Sequence, residues 1–178
     1  MSIIGKCCCQ KYSFCIPQEF IKFGFASCHC SICRSSHGSP FVLWSGIKAE
    51  HRERFKLLLK DSSLNGLNEI KGSLSHFRTS ADCVRYFCGT CGTHLFIDYE
   101  KDDSAGGEKK SPWEDEIHFP TALLDNESLG RLEEAVRDMN KPRYLHVFYS
   151  DRSAALGDLS EWAKGPKYGG VTGLEPIN

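Results

Sequence analysis

The stretch Cys28-His29-Cys30-Ser31-Ile32-Cys33 places three thiols within six residues, in the spacing Cys-x-Cys-x2-Cys. Clustered thiolates suit a soft-to-borderline ion such as zinc, which binds sulfur at about 2.3 Å. Three ligands stop one short of the four that close a structural site. A zinc held by three protein groups keeps one position for water or substrate, which separates catalytic from structural zinc. Two further pairs carry ligand spacing: Cys7 with Cys9, and Cys88 with Cys91 in Cys88-Gly89-Thr90-Cys91-Gly92. Glycines within and after a Cys-x2-Cys permit a tight turn that aims two thiolates at one ion and leaves backbone N–H groups to bond the sulfurs.

These residues must be positioned by strands. Residues 2–16 read as short strands around a cysteine-bearing bend, and Cys7 and Cys9, two apart, share a face in extended backbone. Ile21, Phe23 and Phe25 alternate with Lys22 and Gly24, a half-buried strand that delivers the chain to Cys28. Pro40 to Ile47 is a strand rich in β-formers, with Phe41 and Trp44 as core residues. His76–Ser80 and Val84–Phe87 are strands meeting near Ala81 and Asp82, and Thr93–Tyr99 and Arg143–Tyr149 are two more.

Helices are the minority. Phe55, Leu58 and Leu59 give Ala49–Lys60 an apolar stripe and predict a helix there. Asp125, Asn126 and Ser128 offer caps for a second helix that shows Leu129, Leu132, Ala135 and Val136 on one face. Residues 61–68 read as a loop, residues 100–116 as a charged exposed insertion, and the tail around Trp162 and Gly165 as a surface loop. The whole is read as a single domain over residues 1–178.

If the first strand lies beside the 84–99 hairpin, Cys7, Cys9, Cys88 and Cys91 make a closed four-thiolate site, and Cys28, Cys30 and Cys33 remain as an open one. The competing arrangement closes the second site with Cys83, Cys15 or Cys8, or with His29, His37 or His94. Cys83, five residues before Cys88, is its strongest candidate.

Composition narrows the function classes. A net charge of -1 gives no basic footprint for nucleic acid or an anionic membrane surface. No apolar run approaches the roughly 20 residues of a membrane span. Residues 1–6 lack the apolar region of a secretory signal, so a cytoplasmic location is expected. In such a reducing compartment, ten cysteines at short spacings point to metal rather than to a disulfide framework.

Gly5-Lys6-Cys7-Cys8-Cys9 with Phe14, then Cys28 to Arg34 with Gly38 and Phe41, then Phe87 to Phe96, resemble in order the glutathione-dependent formaldehyde-activating enzyme family, which also contains relatives of centromere protein V. The resemblance covers most of residues 1–99. It implies a mainly β, Mss4-like fold of antiparallel sheets organised around zinc, with one or two added helices. It implies two zinc ions, a structural one at Cys7, Cys9, Cys88 and Cys91 and a catalytic one at Cys28, Cys30 and Cys33. It also implies a carbon–sulfur lyase that forms or cleaves an adduct of a glutathione-like thiol with an aldehyde, such as S-hydroxymethylglutathione. Members often carry Gly where this chain has Gln10.

Three thiolates donate much charge to zinc and weaken it as a Lewis acid, which favours capture and deprotonation of a substrate thiol over carbonyl activation. His29 and His37 read as ordinary polar residues rather than proton shuttles, and Arg34 as a partner for a substrate carboxylate or a neighbouring acid. Two other readings stand beside the lyase: a non-catalytic zinc-stabilised interaction module, and the same fold serving another small-molecule reaction in specialised metabolism. Oligomerisation is left open.

Overall fold

A computed structural model describes residues 1–59, 73–100, 113, 115–137, 139, 144–153 and 166–168. The chain is mainly β. Strands β1 (Ser2–Lys6), β2 (Tyr12–Pro17) and β5 (Lys56–Leu59) form a three-stranded antiparallel sheet in the order β1-β2-β5. The other sheet has seven strands. These are β3 (Ile21–Cys28), β4 (Val42–Ile47), β6 (Ser75–Ser80), β7 (Cys83–Phe87), β8 (His94–Tyr99), β9 (Ile117–Pro120) and β10 (Tyr144–Val147). They run in the order β10-β3-β4-β9-β8-β7-β6, antiparallel except for the parallel pair β10/β3.

Alternation along the strands of the large sheet sorts its two faces. On β7, Val84 and Tyr86 join the core that contains Phe14 of β2 and Phe119 of β9, whereas Cys83 packs with Cys28, Trp44 and Tyr99 on the other side. The first core is dense in aromatics: Phe14 meets Phe119 at 5.3 Å and Phe55 at 5.8 Å between ring centroids, and Tyr86 stacks on Phe96 at 4.7 Å. It fills the space between the sheets. The second face carries the site.

Two α-helices lie among the described residues. Helix α1 (Ser31–His37) follows β3 at once and ends at Gly38, whose φ of 58° is the left-handed cap that glycine adopts without strain. Helix α2 (Asn126–Arg137) begins where Asp125 Oδ1 accepts from the Ser128 N–H at 2.8 Å, and it buries Leu132 and Val136, as its apolar face predicts. It approaches β3 so closely that a Cβ on Gly24 would stand 2.8 Å from Val136 Cγ2.

The expected helix over 49–60 is not formed. Ala49–Arg54 is a 3-10 helix, and the chain turns extended at Phe55 to become β5. Tertiary contacts override the helical stripe: Phe55 is buried against Phe14 and Phe96, and Arg52 grips the buried Asp98 carboxylate with two N–H groups at 3.1 and 2.9 Å. The loop read at 61–68, the tail around Trp162 and nearly all of the charged stretch at 100–116 lie outside the described residues. Among the described residues no helix is long and apolar enough to cross a membrane.

Candidate metal centre

Two hairpin turns face one another. In the β1–β2 turn the Cys7 N–H bonds Tyr12 O and the Gln10 N–H bonds Cys7 O. In the β7–β8 turn the Cys88 N–H bonds Thr93 O and the Gly92 N–H bonds Cys88 O. The left-handed residues that close them are Gln10 (φ 58°) and Gly92 (φ 73°). The turns bring the sulfurs of Cys7, Cys9, Cys88 and Cys91 within 4.8 Å of one another. The Tyr12 N–H donates to Cys7 Sγ at 3.3 Å, and Thr93 Oγ1 lies 3.2 Å from Cys91 Sγ. Burial pushes the Cys7 thiol up to about 12, while the Thr93 hydroxyl beside Cys91 holds that thiol down at about 5. Because β1 and β2 belong to the small sheet and β7 and β8 to the large one, this cluster ties the sheets together.

The second cluster forms where β3 meets α1. Cys28 is the last residue of β3, Cys30 the N-cap of α1, and Cys33 lies in its first turn. Their sulfurs lie within 4.8 Å of one another, and the Cys33 N–H donates to Cys30 Sγ at 3.4 Å. Hydrogen bonds to Cys30 and Cys33 drive the Cys28 thiol far up, and the same contacts lower Cys30 to about 2. The three sulfurs share their first negative charge readily and resist losing further protons. A cation relieves that resistance, so both clusters fit a thiophilic divalent metal, and the seven expected cysteines fall into the two expected groups.

The proposed fourth ligands lie elsewhere. Among the described residues no further Cys, His, Asp or Glu joins the group of Cys28, Cys30 and Cys33. His29 is fully buried and turned away, with Nε2 3.0 Å from Nδ1 of His146 and Nδ1 without a partner. His37 lies against His94 at 4.3 Å between centroids with the rings tilted by 34°, and meets Trp44 edge-on. Burial, then the neighbouring imidazole, lowers His29 and His37 to about 4 each. Cys83 lines the same cavity but stays outside the triad, Cys15 sits on β2, and Cys8 is exposed. Arg34 Nε donates to His29 O at 3.1 Å.

The triad opens on a cavity of about 690 Å³ whose walls include Trp44, Tyr99, Trp113, Arg85, His118 and Phe148. Trp44 thus serves core and cavity together. Nothing in the sequence marks Arg85, which lies inside a strand pattern with no motif around it. It is 4% exposed, donates from Nη2 to Cys33 Sγ at 3.4 Å, and leaves Nε and Nη1 unpaired. Burial alone would favour a neutral guanidine, but the Cys33 thiolate outweighs it and the Arg85 pKa is raised. His118 is equally unmarked. Its Nε2 lies 3.0 Å from Glu116 Oε2, and Glu116 also pairs with Lys22.

The sequence model described as glutathione-dependent formaldehyde-activating enzyme matches residues 2–109, which hold all seven clustered cysteines and Arg85. The chain belongs to this family. Glutathione-dependent formaldehyde-activating enzymes thus provide the frame for the two cysteine clusters, and β9, α2 and β10 lie beyond the matched region. A search of curated proteins finds no significant match. A solved structure of a Rhodobacter sphaeroides protein, a structural-genomics target, is 15% identical with a TM-score of 0.40, covering 70% of this chain and 89% of that one.

Proposed function

We propose that the protein is a zinc-dependent carbon–sulfur lyase that forms or cleaves the adduct of a small, glutathione-like thiol with an aldehyde. The observation that carries this reading is the cysteine triad at the cavity wall, with no fourth protein ligand among the described residues. A closed sphere would hold the fold and do no chemistry. In this reading Cys28, Cys30 and Cys33 hold the catalytic ion, Cys7, Cys9, Cys88 and Cys91 hold a structural one, and the enzyme works in the cytoplasm.

When bound at the triad, zinc supplies an exchangeable position that lowers the pKa of an incoming thiol. The chain does the rest. Trp44, Tyr99 and Trp113 give the thiol and its electrophile an apolar wall that excludes water. The thiol gives up its proton, its sulfur forms a bond to the aldehyde carbon, the carbonyl electron pair moves to oxygen, and that oxygen takes up a proton in place of the one the sulfur lost. Cleavage reverses each movement.

Metal content and sulfur coordination, measured with and without glutathione, test the reading. Two zinc ions per chain, one gaining a sulfur ligand only when glutathione is added, is the expected result. Two ions already bound by four ligands and indifferent to the thiol would instead leave an inert scaffold. Cys30→Ser should abolish turnover while the chain stays folded, whereas Cys88→Ser should unfold it.

A further inference from the structure

Among the described residues Arg85 is the one buried guanidinium at the cavity, and most of its hydrogen-bonding capacity is unused. It lines the cavity from β7 together with Cys83, two residues before it, and the residue is 4% exposed. Nη2 is engaged with Cys33 Sγ, yet Nε and Nη1 have no partner. Trp44 stands with its ring centroid 5.8 Å from the guanidinium carbon, so one face is covered while two N–H donors stay unpaired. A buried arginine kept permanently charged, with unsatisfied donors, is costly unless an anion completes it.

We propose that Arg85 is the anion-binding residue of this cavity, taking an oxygen anion of the sulfur adduct on the two donors that the protein leaves unpaired. The inference rests on the carbon–sulfur reading above. Its position decides the assignment. The guanidinium already touches one thiol of the triad, so a sulfur compound drawn to that triad lies alongside the remaining donors. Two oxygens can meet them. One is a carboxylate a few bonds from the substrate sulfur, held in the ground state. The other is the alkoxide that appears when sulfur attacks the aldehyde carbon and the carbonyl pair moves to oxygen, before that oxygen is protonated. Both are oxyanions a few bonds from sulfur, and a planar guanidinium suits either.

Cobalt-substituted full-length protein, titrated with 3-mercaptopropionate and with 3-mercapto-1-propanol, separates the two sources. The readouts are the sulfur-to-cobalt charge-transfer band, cobalt content, and turnover of each thiol with formaldehyde. If Arg85 holds a carboxylate, Arg85→Gln weakens 3-mercaptopropionate by about tenfold to a hundredfold and spares the alcohol, and Arg85→Lys recovers part of the loss. If it holds the alkoxide, both thiols bind the variant normally and kcat for the alcohol falls by about a hundredfold. Either result supports the proposal. It is overturned if both variants keep wild-type affinity and kcat for both thiols, or if lost cobalt accounts for every change. Failure of both thiols to perturb the wild-type band would overturn the carbon–sulfur reading and this inference with it. A wild-type band response that both variants share, together with unchanged turnover of both thiols, would overturn this inference alone.

Discussion

Gln10 closes the first cysteine turn at a φ of 58°, a left-handed conformation that a side chain with a Cβ adopts only at a cost. The glycine that resembling sequences carry there therefore has a physical reason. Gln10→Gly should raise the urea midpoint of the metal-loaded protein, with a gain of about 1 kcal/mol or less once the entropy of glycine in the unfolded chain is offset. Cys83 supplies the complementary case. It shares the cavity with the triad but not its ligand group, so Cys83→Ser should leave metal content at the wild-type value. A loss of one ion per chain would restore the closed four-ligand arrangement. The two cysteine pairs and the triad are legible in the sequence because ligand spacing is a local property, whereas the meeting of Cys7 and Cys9 with Cys88 and Cys91 depends on two turns that only the fold brings together. Arg85 and His118 are not legible either, because their importance arises from strands that meet only in the fold.

At the scale of elements, close approach governs what the sheets tolerate. Gly24→Ala would force a methyl to 2.8 Å from Val136 Cγ2, and a short β-branched side chain on a helix has little freedom to move aside. Denaturant unfolding should show a loss of about 1–3 kcal/mol, relieved in part by Val136→Ala in the double variant. Strand β3 is legible as a strand, but its faces are not. Bulges on either side of Phe23 turn that ring to the cavity while Ile21 and Phe25 stay in the other core, so the expected alternation does not hold. Helix α2 follows from its caps and apolar face. The 49–60 segment fails for an instructive reason. Its leucines are spaced for a helix, but the β2 edge and the buried Arg52–Asp98 pair pull it into 3-10 and extended structure. Helix α1 is hidden because its N-cap is a cysteine, Cys30, which ligand spacing marks more loudly than helix propensity does. The parallel pairing of β10 with β3 is equally silent, since a strand pattern does not name its neighbour.

For the molecule as a whole, acid should be destabilising well before ordinary carboxylates titrate. His29 and His37 are held neutral down to about 4, and burial lowers His118 as well. A histidine in the unfolded chain binds its proton near pH 6.5. Between these values the unfolded state holds more protons than the folded one, so stability falls as pH drops. Glu116 acts in the same direction. Burial opposes its ionisation, but His118 and Lys22 hold its pKa below the usual value, so its contribution is lost as pH falls through that lowered value. Calorimetry should therefore find Tm declining from pH 7 toward pH 4, with a shallower slope in His118→Gln.

The parallel strand carries one more implication. Val147 O accepts from the His29 N–H at 3.1 Å, and Leu145, Val147 and Phe148 form part of the cavity wall, so the bend between Cys28 and Cys30 leans on a segment more than a hundred residues downstream. During synthesis the thiols emerge early and their brace emerges late. A ribosome that stalls before residue 144 yields a product that has all seven clustered cysteines yet lacks one side of the cavity, and on the proposed function such a fragment should bind zinc without turning anything over.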